Sequence, residues 1–445
     1  MADHARSDSP AVQAQLDRFA QLSPGRDILG LERIAALMEV LGNPHLELPP
    51  VLHVAGTNGK GSTCAFLRAI LEGAGLTVHV YSSPHLVRFN ERFRVAGSLI
   101  EDAALAVLLK EVLDAAEAAD LGPSFFEATT AAAFLAFSRT PADAAIIEVG
   151  LGGRLDATNV IPAPLVCGIA QLGIDHEAFL LAAEAGTPEG PLERIAYEKA
   201  GIAKRGVPLV TQAYDKDMMH AIAEEARHCH AEFLPRGEGW NAAVYEGKLH
   251  YRDSLSKMSL PLPALAGSWQ AENAALAIAM LRHQGHFKLP ESAYRAGMGW
   301  ARWPARMQPL HPGPLVSLLP EGSEAWLDGC HNPAAAEPVA AHMAAHADAR
   351  PLHIICGMLS NKEMEGVLGQ FVDQAPVLHC VPVPGHDHHK PDAMAAWARA
   401  QGLEAHIADD VETAFRAITA PTRVLVMGSL YLAGVVLRAN DQIPD

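Results

Sequence analysis

The sequence has few cysteines, fewer basic than acidic residues and no long hydrophobic run. Its six cysteines are far apart and form no C-x-x-C pair, which predicts reduced thiols in a cytoplasmic protein and no cysteine-based metal motif. The most hydrophobic run, between Arg423 and Arg438, has 14 residues. Because a helix of that length cannot cross a bilayer, we expect no membrane segment and no secretory signal.

The charge balance narrows the class of ligand. The chain has 34 Lys and Arg against 51 Asp and Glu, a net charge of −17. This excess of negative charge repels a nucleic-acid backbone, so we expect no nucleic-acid partner. A small anionic ligand would need a local group of cationic side chains or backbone N–H donors.

Length and pattern predict an α/β protein with two domains. The 445 residues exceed the size of one ordinary core. Strand-like hydrophobic runs followed by glycine turns and helix-like runs are typical of a mostly parallel sheet. A proline at position 304 ends a helical pattern, so we predict a mostly parallel sheet domain over 1–304 and a smaller doubly wound domain over 305–445.

One glycine-rich segment has the chemistry of a phosphate site. The hydrophobic run Val51–Ala55 leads into Gly-Thr-Asn-Gly-Lys-Gly-Ser-Thr at 56–63 and then into a helix-like run. Glycines let N–H groups converge on phosphate oxygens, the helix dipole favours an anion, and Lys60 adds a positive charge. The spacing is a variant of G-x-x-x-x-G-K-[ST], and the alternative is a glycine-rich turn that binds nothing.

A second candidate follows the hydrophobic run at 144–147. Glu148 is expected at the carboxyl end of a buried strand, where a carboxylate can hold a metal ion that bridges ATP oxygens. The alternative is a carboxylate that is merely exposed at a strand end. The segment that follows, at 150–159, contains too many glycines for a helix and several polar groups suited to a ligand.

Several motifs in order resemble the dihydrofolate synthase/folylpolyglutamate synthase family, which is related to the Mur ligases. They are Gly-Thr-Asn-Gly-Lys-Gly-Ser at 56–62, Tyr-Ser-Ser-Pro-His-Leu at 81–86, the segment 148–159, Glu-Lys-Ala-Gly at 198–201, Leu-Asp-Gly-Cys-His-Asn-Pro at 327–333, and Gly-Met-Leu at 357–359. The resemblance implies a P-loop NTPase-like ATP-binding domain followed by a Rossmann-like ligase domain. It also implies an ADP-forming ligase that uses ATP and Mg²⁺ and passes through an acyl phosphate.

The resemblance further implies roles for individual residues. The implied catalytic residues are Lys60, Glu148, His176, Lys199 and Arg306. The implied ATP contacts are Thr57, Asn58, Gly59, Lys60, Gly61, Ser62, Asn273, Arg306 and Asp328. The implied Mg²⁺ ligands are Ser62, Ser83, Glu148, His176 and Lys199, the last as the lysine that is carbamylated in relatives. Without the resemblance, His176 would be interpreted as a structural histidine and Lys199 as a surface lysine.

The same resemblance implies the acceptor and its site. The implied contacts to a pterin-bearing substrate are Leu29, Gly30, Leu31, Glu32, Ser124, Phe125, Phe126, Glu127, Leu155, Asp156 and Ala157. These segments favour a bifunctional enzyme that joins L-glutamate to dihydropteroate and to reduced folates, and we expect a monomer. A folylpolyglutamate synthase alone, a Mur-type ligase and a non-catalytic nucleotide switch remain alternatives.

Two features stand apart from the family pattern. Relatives have glycine where this chain has Ala305, between Pro304 and Arg306. Three histidines crowd the segment His386–His389, which favours a solvated loop over a metal site because no further ligand cluster accompanies them.

Overall fold

The computed structural model describes residues 5–22, 29–175, 180–181 and 184–445. These residues form two compact units. The first consists of the described residues within Met1–Pro84, Phe89–Ala264 and Gln270–Arg302, and the second of His85–Arg88, Leu265–Trp269 and Trp303–Asp445. The functional names given to the two predicted domains stay predictions.

The strands of the first unit form two sheets. They are β1 (Val51–Ala55), β2 (Val78–Tyr81), β3 (Phe93–Val95), β4 (Ser98–Leu99), β5 (Ala144–Glu148), β6 (Val166–Ile169), β7 (Pro208–Thr211), β8 (Glu232–Pro235), β9 (Trp240–Tyr245), β10 (Lys248–Asp253) and β11 (Lys257–Pro261). The larger sheet has eight strands in the order β4-β3-β2-β5-β1-β6-β7-β8. The six from β2 to β8 run parallel, and β3 and β4 add an antiparallel edge.

Helices cover both faces of this sheet. They are α1 (Pro10–Leu22), α2 (Glu32–Val40), α3 (Lys60–Gly73), α4 (Asp102–Ala118), α5 (Phe125–Arg139), α6 (Pro191–Ala200), α7 (Lys216–His228), α8 (Trp269–His283) and α9 (Glu291–Trp300). One hydrophobic core packs residues of α1, α2, α4 and α5 against the face that carries Val51 and Ala55, and a second packs α6 and α7 against the same face. On the other face α8 approaches β6, where a Cβ built on Gly168 would lie 2.2 Å from the Met280 sulfur. Every residue of β1 and β5 is buried, as expected for central parallel strands with both faces covered.

The strand order indicates a ligand crevice at the carboxyl ends of the central strands of the large sheet. From β1 the chain crosses to β2 on one side, returns to β5 beside β1, and then continues to β6 on the other side of β1. Ligands of open α/β sheets bind outside the carboxyl ends of strands where the order reverses in this way. The segments that follow β1, β2, β5 and β6 all lie at these carboxyl ends.

The stretch that follows β8 forms a sheet of its own. Strands β9, β10 and β11 pair antiparallel in the order β11-β10-β9. Trp240, Leu249, Tyr251 and Leu260 are buried on one face of this sheet. This small antiparallel sheet is therefore separate from the eight-stranded sheet.

The second unit is a smaller α/β layer structure. Its strands are β12 (Gln308–Pro309), β13 (Glu324–Leu327), β14 (Leu352–Cys356), β15 (Val377–Cys380), β16 (Ala405–Ile407) and β17 (Arg423–Met427), in the order β12-β13-β17-β14-β15-β16. Its helices are α10 (Pro333–Ala345), α11 (Met364–Gly369), α12 (Pro391–Ala400), α13 (Val411–Arg416) and α14 (Leu430–Ala439). Only β12 pairs antiparallel in this sheet. The predicted α/β class, with a large mostly parallel sheet and a smaller second one, is confirmed.

Short 3₁₀ helices complete the described chain at Pro44–Leu46, Phe89–Arg92, Ala157–Val160, Val316–Leu318 and Val372–Gln374. None of the described helices combines the length and the hydrophobicity that a bilayer crossing requires.

Candidate functional site

The Gly56–Lys60 loop joins the end of β1 to the start of α3, as the sequence predicts. Gly56 has φ +148°, and a Cβ built on it would lie 2.9 Å from the Ala170 Cβ. Gly59 has φ +82°, and a Cβ there would lie 2.3 Å from the Asn273 Oδ1. Both glycines are therefore needed for close approach as well as for backbone conformation. The second contact brings the predicted ATP residue Asn273 against the loop.

Hydrogen bonds connect this loop to the segment that follows β6. The N–H groups of Thr57 and Asn58 both donate to the Gln171 carbonyl, at 2.9 and 3.0 Å. The Thr57 hydroxyl donates to the Gly173 carbonyl at 2.9 Å. The first two predicted contacts thus anchor the loop to the segment after β6. Anion binding through N–H groups is left to the first turn of α3, where the helix dipole also favours an anion.

The Lys60 ammonium lies over the same loop. Its Nζ donates to the Gly56 carbonyl at 2.9 Å and to the Thr57 carbonyl at 3.3 Å. Ser62, two residues further along α3, is buried. The structure therefore places a cation, a buried hydroxyl and a helix N-terminus together at the end of β1, which is the donor set that a nucleotide phosphate requires.

Glu148 and Ser83 lie side by side at the ends of β5 and β2. The Ser83 N–H is 3.4 Å from the Glu148 Oε2, and Glu148 is buried. The contact is made by the Ser83 backbone, and a serine hydroxyl and a carboxylate are both hard oxygen donors of the kind that suits Mg²⁺. These two predicted ligands are thus brought together next to the strand that carries the Gly56–Lys60 loop.

Lys199 is buried near the carboxyl end of α6, although its sequence alone would place it on the surface. Burial lowers the pKa of its amine to about 7, and the nearby Lys60 ammonium acts in the same direction. Asp175, Asp156 and Glu198 oppose this shift. A neutral amine is the form that reacts with CO₂, so the environment fits the carbamylation that the resemblance implies.

The predicted ligand His176 lies outside the described residues. Within 5–22, 29–175, 180–181 and 184–445, no group of three or more His, Cys, Asp or Glu side chains could hold a metal ion without further groups. A site here would therefore combine Glu148 with hydroxyl, carbamate or phosphate oxygens.

The Gly150–Ala157 loop follows β5 and is organised by Asp156. This buried carboxylate accepts hydrogen bonds from the Leu151 N–H at 2.8 Å and the Thr158 N–H at 3.0 Å, and from the Thr158 hydroxyl. Burial raises the pKa of Asp156, while these hydrogen bonds oppose the rise. Asp156 therefore fixes the loop backbone, and its predicted contact with substrate stays a prediction.

The predicted acceptor segments converge in the first unit. Arg33, next to the segment Leu29–Glu32, forms a two-point ion pair with Glu127, with N–O distances of 3.1 and 2.9 Å. Glu127 also closes a capping box with Ser124 at the start of α5. A Cβ built on Gly150 would lie 2.3 Å from the Phe126 ring. Contacts therefore join three segments that are far apart in sequence, and the rings of Phe125 and Phe126 are half-buried there.

Arg306 and Asp328 are brought together within the second unit. Asp328 is buried and accepts hydrogen bonds from the Met307 N–H at 2.7 Å and the Cys330 N–H at 2.8 Å. Burial raises its pKa, and the charge of Arg306 opposes this. Ala305 has φ +54°, a left-handed conformation that glycine adopts more readily than alanine.

The three imidazoles of the His386–His389 loop each contact a nearby ring or carbonyl group. His386 stacks on Tyr431 with ring centroids 3.8 Å apart, His388 contacts the His386 carbonyl, and His389 contacts the Lys362 carbonyl at 2.8 Å.

Sequence reasoning gave no role to three charged residues that organise the site. Arg33 pairs with Glu127, and the partly exposed Arg154 pairs with the buried Glu198 beside Lys199. Arg154 and Glu198 lie within segments that match the family, but their partners are distant in sequence. A cation next to a predicted substrate segment was the available signal for Arg33.

The chain is similar in sequence to known proteins. Residues 317–430 match the family model for the Mur ligase, glutamate ligase domain. The dihydrofolate synthase/folylpolyglutamate synthase of Escherichia coli strain K12 is 34% identical over 426 residues, which cover 93% of this chain and 92% of that protein.

Two solved structures resemble the whole chain. Escherichia coli FolC in complex with DHPP and ADP has a TM-score of 0.85 and 32% identity, covering 98% of this chain and 99% of that chain. The bifunctional folylpolyglutamate synthase/dihydrofolate synthase of Yersinia pestis, complexed with AMPPNP and Mn ion, has a TM-score of 0.83 and 31% identity over the same shares.

Proposed function

Because the chain belongs to the dihydrofolate synthase/folylpolyglutamate synthase family, we propose that it joins L-glutamate to dihydropteroate and to folylpolyglutamates with ATP. It is an ADP-forming acid–amino-acid ligase, and ATP and Mg²⁺ are its cofactors. The observation that carries this proposal is the arrangement of Lys60, Glu148 and Ser83 at the adjacent ends of β1, β5 and β2. The reaction needs that combination of cation and oxygen donors around a triphosphate.

The chemistry proceeds in two displacement steps. An oxygen of the acceptor carboxylate attacks the γ-phosphorus of ATP, the bond from that phosphorus to the bridging oxygen breaks, and ADP leaves. The glutamate amine then attacks the acyl carbon, phosphate leaves, and a proton is lost from nitrogen as the amide forms. The protein supplies orientation and charge neutralisation for these steps, with little covalent chemistry of its own.

Lys60 has the clearest role in the first step. Its ammonium is already above the loop that the phosphates would occupy, so it neutralises charge that develops on the transferred group. Ser83 and Glu148 would hold Mg²⁺, together with Ser62, His176 and a carbamate on Lys199. When bound, this ion neutralises phosphate charge and orients the γ-phosphoryl group.

The acceptor site follows from the converging segments of the first unit. We place the pterin-bearing substrate against Leu29–Glu32, Ser124–Glu127 and Leu155–Ala157, where the half-buried rings of Phe125 and Phe126 offer stacking surfaces. Arg306 and Asp328 are proposed ATP contacts of the second unit. All six cysteines are free thiols, which supports our placement of the protein in the cytoplasm, and we propose that it acts as a monomer.

One assay tests the function and its alternatives. Purified protein is given ATP and Mg²⁺, and ADP formation is measured with glutamate plus dihydropteroate, tetrahydrofolate or a nucleotide-linked cell-wall precursor. We expect ADP formation that requires glutamate and occurs with both pterin acceptors. Activity with tetrahydrofolate alone would identify a folylpolyglutamate synthase. Activity only with the cell-wall precursor, or none with any acceptor, would overturn the proposal in favour of a Mur-type ligase or a nucleotide switch.

A further inference from the structure

Four charged side chains form a balanced cluster directly beside Lys199. The Arg154 guanidinium contacts the Glu198 carboxylate at 2.9 and 3.3 Å and the Glu184 carboxylate at 2.5 Å. Arg194 contacts the same two carboxylates, at 3.0 Å to Glu198 and 2.8 Å to Glu184. Two cations and two anions therefore share their hydrogen bonds, and the cluster carries no net charge.

Most of this cluster is withdrawn from solvent. The side chains of Glu198 and Arg194 are 3% and 6% exposed and that of Arg154 is 21% exposed, while Glu184, at 44%, lies at the surface. Buried ion pairs contribute little net stability because desolvation offsets attraction, but they restrict geometry strongly. The expected effect of this cluster is therefore to fix positions rather than to add stability.

Backbone contacts join the same two segments. The Arg154 N–H donates to the Glu198 carbonyl at 2.7 Å. Cβ atoms built on Gly153 and Gly201 would lie 2.8 Å from the Glu198 carbonyl oxygen and 2.4 Å from the Arg154 Cβ, respectively. The Asn159 amide donates to the carbonyls of both Arg154 and Gly201. The Gly150–Ala157 loop and the end of α6 are thus in direct contact.

Arg154 is the side chain that links the two segments by charge. It belongs to the loop, whereas its partner Glu198 precedes Lys199 on α6. We propose that Arg154 is a positioning residue, which acts through Glu198 to hold Lys199 in register with the Gly150–Ala157 loop. The inference rests on the proposed ligase function, because Lys199 is there a ligand of Mg²⁺ and the loop a contact of the acceptor.

The proposal predicts a specific kinetic pattern for Arg154→Met. The methionine keeps most of the hydrophobic volume but removes the link to Glu198. We expect kcat to fall and the Mg²⁺ concentration for half-maximal activity to rise, each by about 10-fold to 100-fold, as for other residues that orient metal ligands. The KM for ATP should change little, because the Gly56–Lys60 loop has no contact with Arg154 among those described.

Arg139→Met is a matched control. Arg139 also makes a two-point pair with a glutamate, Glu111, at 2.7 and 2.6 Å, but both side chains are largely exposed. We expect wild-type kinetics and Mg²⁺ dependence for this variant. Arg154→Lys keeps the charge without the two-point geometry, so it should recover only part of the lost activity.

Double substitution separates positioning from general stability. If Arg154 acts through Glu198, Arg154→Met combined with Glu198→Gln should be no slower than the more damaged single variant. Multiplied losses, or a normal Mg²⁺ requirement with a lowered Tm, would assign Arg154 a structural role and overturn the inference. If Arg154→Met does not fold, the Mg²⁺ requirement and kcat of Arg154→Lys decide instead.

The failure of the inference differs from failure of the proposed function. A wild-type protein that forms no ADP with glutamate and a pterin acceptor defeats the function itself. An active wild type whose Arg154 variants behave like Arg139→Met defeats only the positioning role.

Discussion

The Gly56–Lys60 loop and the Gly150–Ala157 loop both follow the carboxyl ends of central strands of the eight-stranded sheet, but they are built differently. The first depends on backbone: its glycines make close contacts, and its N–H groups donate to Gln171. The second also has glycines in close contact, at Gly150 and Gly153, but charged side chains fix it in addition, with Asp156 inside the loop and Glu198 outside it. A backbone-built loop is visible in sequence as glycine spacing, whereas a loop held by side chains depends on distant partners.

Lys60→Met should have the largest effect of the substitutions in the Gly56–Lys60 loop. Among the residues that the structure describes, Lys60 donates only to carbonyls of its own loop, so its removal should leave stability unchanged while phosphoryl transfer loses its nearby cation. We expect a loss of about 10³-fold in kcat/KM, measured as glutamate-dependent ADP formation. The control is Lys110→Met, which removes an exposed lysine paired with Asp114. A loss below about tenfold would contradict the assigned role.

Gly59→Ala tests whether the loop depends on glycine for contact or for conformation alone. The new Cβ would meet the Asn273 side chain at 2.3 Å with φ at +82°. We expect the KM for ATP to rise by about 10-fold to 100-fold.

Gly75→Ala is the matched control, since Gly75 also has φ +82° but nothing lies within 4 Å of its added Cβ. It should cost about 1 kcal/mol of stability and leave the KM for ATP unchanged. If the two variants alter the KM equally, the contact with Asn273 is irrelevant.

The fold was largely predictable because short hydrophobic runs of the kind that form buried strands recur along the chain. The hydrophobic runs at 51–55, 144–148, 352–356 and 424–427 are strands, and glycines or helix-like runs follow them. The separate sheet of β9, β10 and β11 was not predicted as such, because alternation gives the pairing of strands but not the sheet they join.

Within the candidate site, predictability followed the same division. Lys60 and Glu148 could be proposed from local pattern, since Glu148 ends a hydrophobic strand and Lys60 follows another after a short glycine-rich loop. The roles of Arg154 and Glu198 could not, because their ion pair joins residues 44 positions apart. The burial of Lys199 likewise depends on packing that no local pattern records.

Asp156→Asn should weaken the side-chain-built loop. The carboxylate receives three hydrogen bonds, two of them from the N–H groups of Leu151 and Thr158. An amide would turn its NH₂ group toward one of these donors and leave buried groups unpaired, at a cost of about 2–3 kcal/mol. Denaturant unfolding measures this loss. The KM for dihydropteroate should also rise while that for ATP stays constant.

Asp215→Asn provides the comparison for that variant. Asp215 caps α7 by accepting from the Met218 N–H at 2.9 Å, and asparagine caps helices about as well as aspartate. Equal losses of stability in the two variants would show that the three-bond arrangement of Asp156 has no special weight.

Acidification should affect the side-chain-built loop through His53, a buried residue of β1. His53 Nε2 lies 2.9 Å from the Thr158 hydroxyl, which itself donates to Asp156. Burial lowers the pKa of His53 to about 3 from 6.5, and Lys204 acts in the same direction. The folded state therefore binds this proton less readily than the unfolded state, so its stability is full above pH 6.5 and falls as the pH drops toward 3.

The expected loss is about 2 kcal/mol between pH 7.5 and pH 5, since each pH unit below 6.5 contributes about 1.4 kcal/mol until the folded pKa is reached. His53→Gln keeps a donor for Thr158 but cannot take up a proton, so the free energy of unfolding should depend less steeply on pH in this variant. The exposed His220 offers a control, because His220→Gln should keep the wild-type slope. If His53→Gln has that slope as well, the acid sensitivity originates elsewhere, and the loop is less dependent on buried side chains than its contacts indicate.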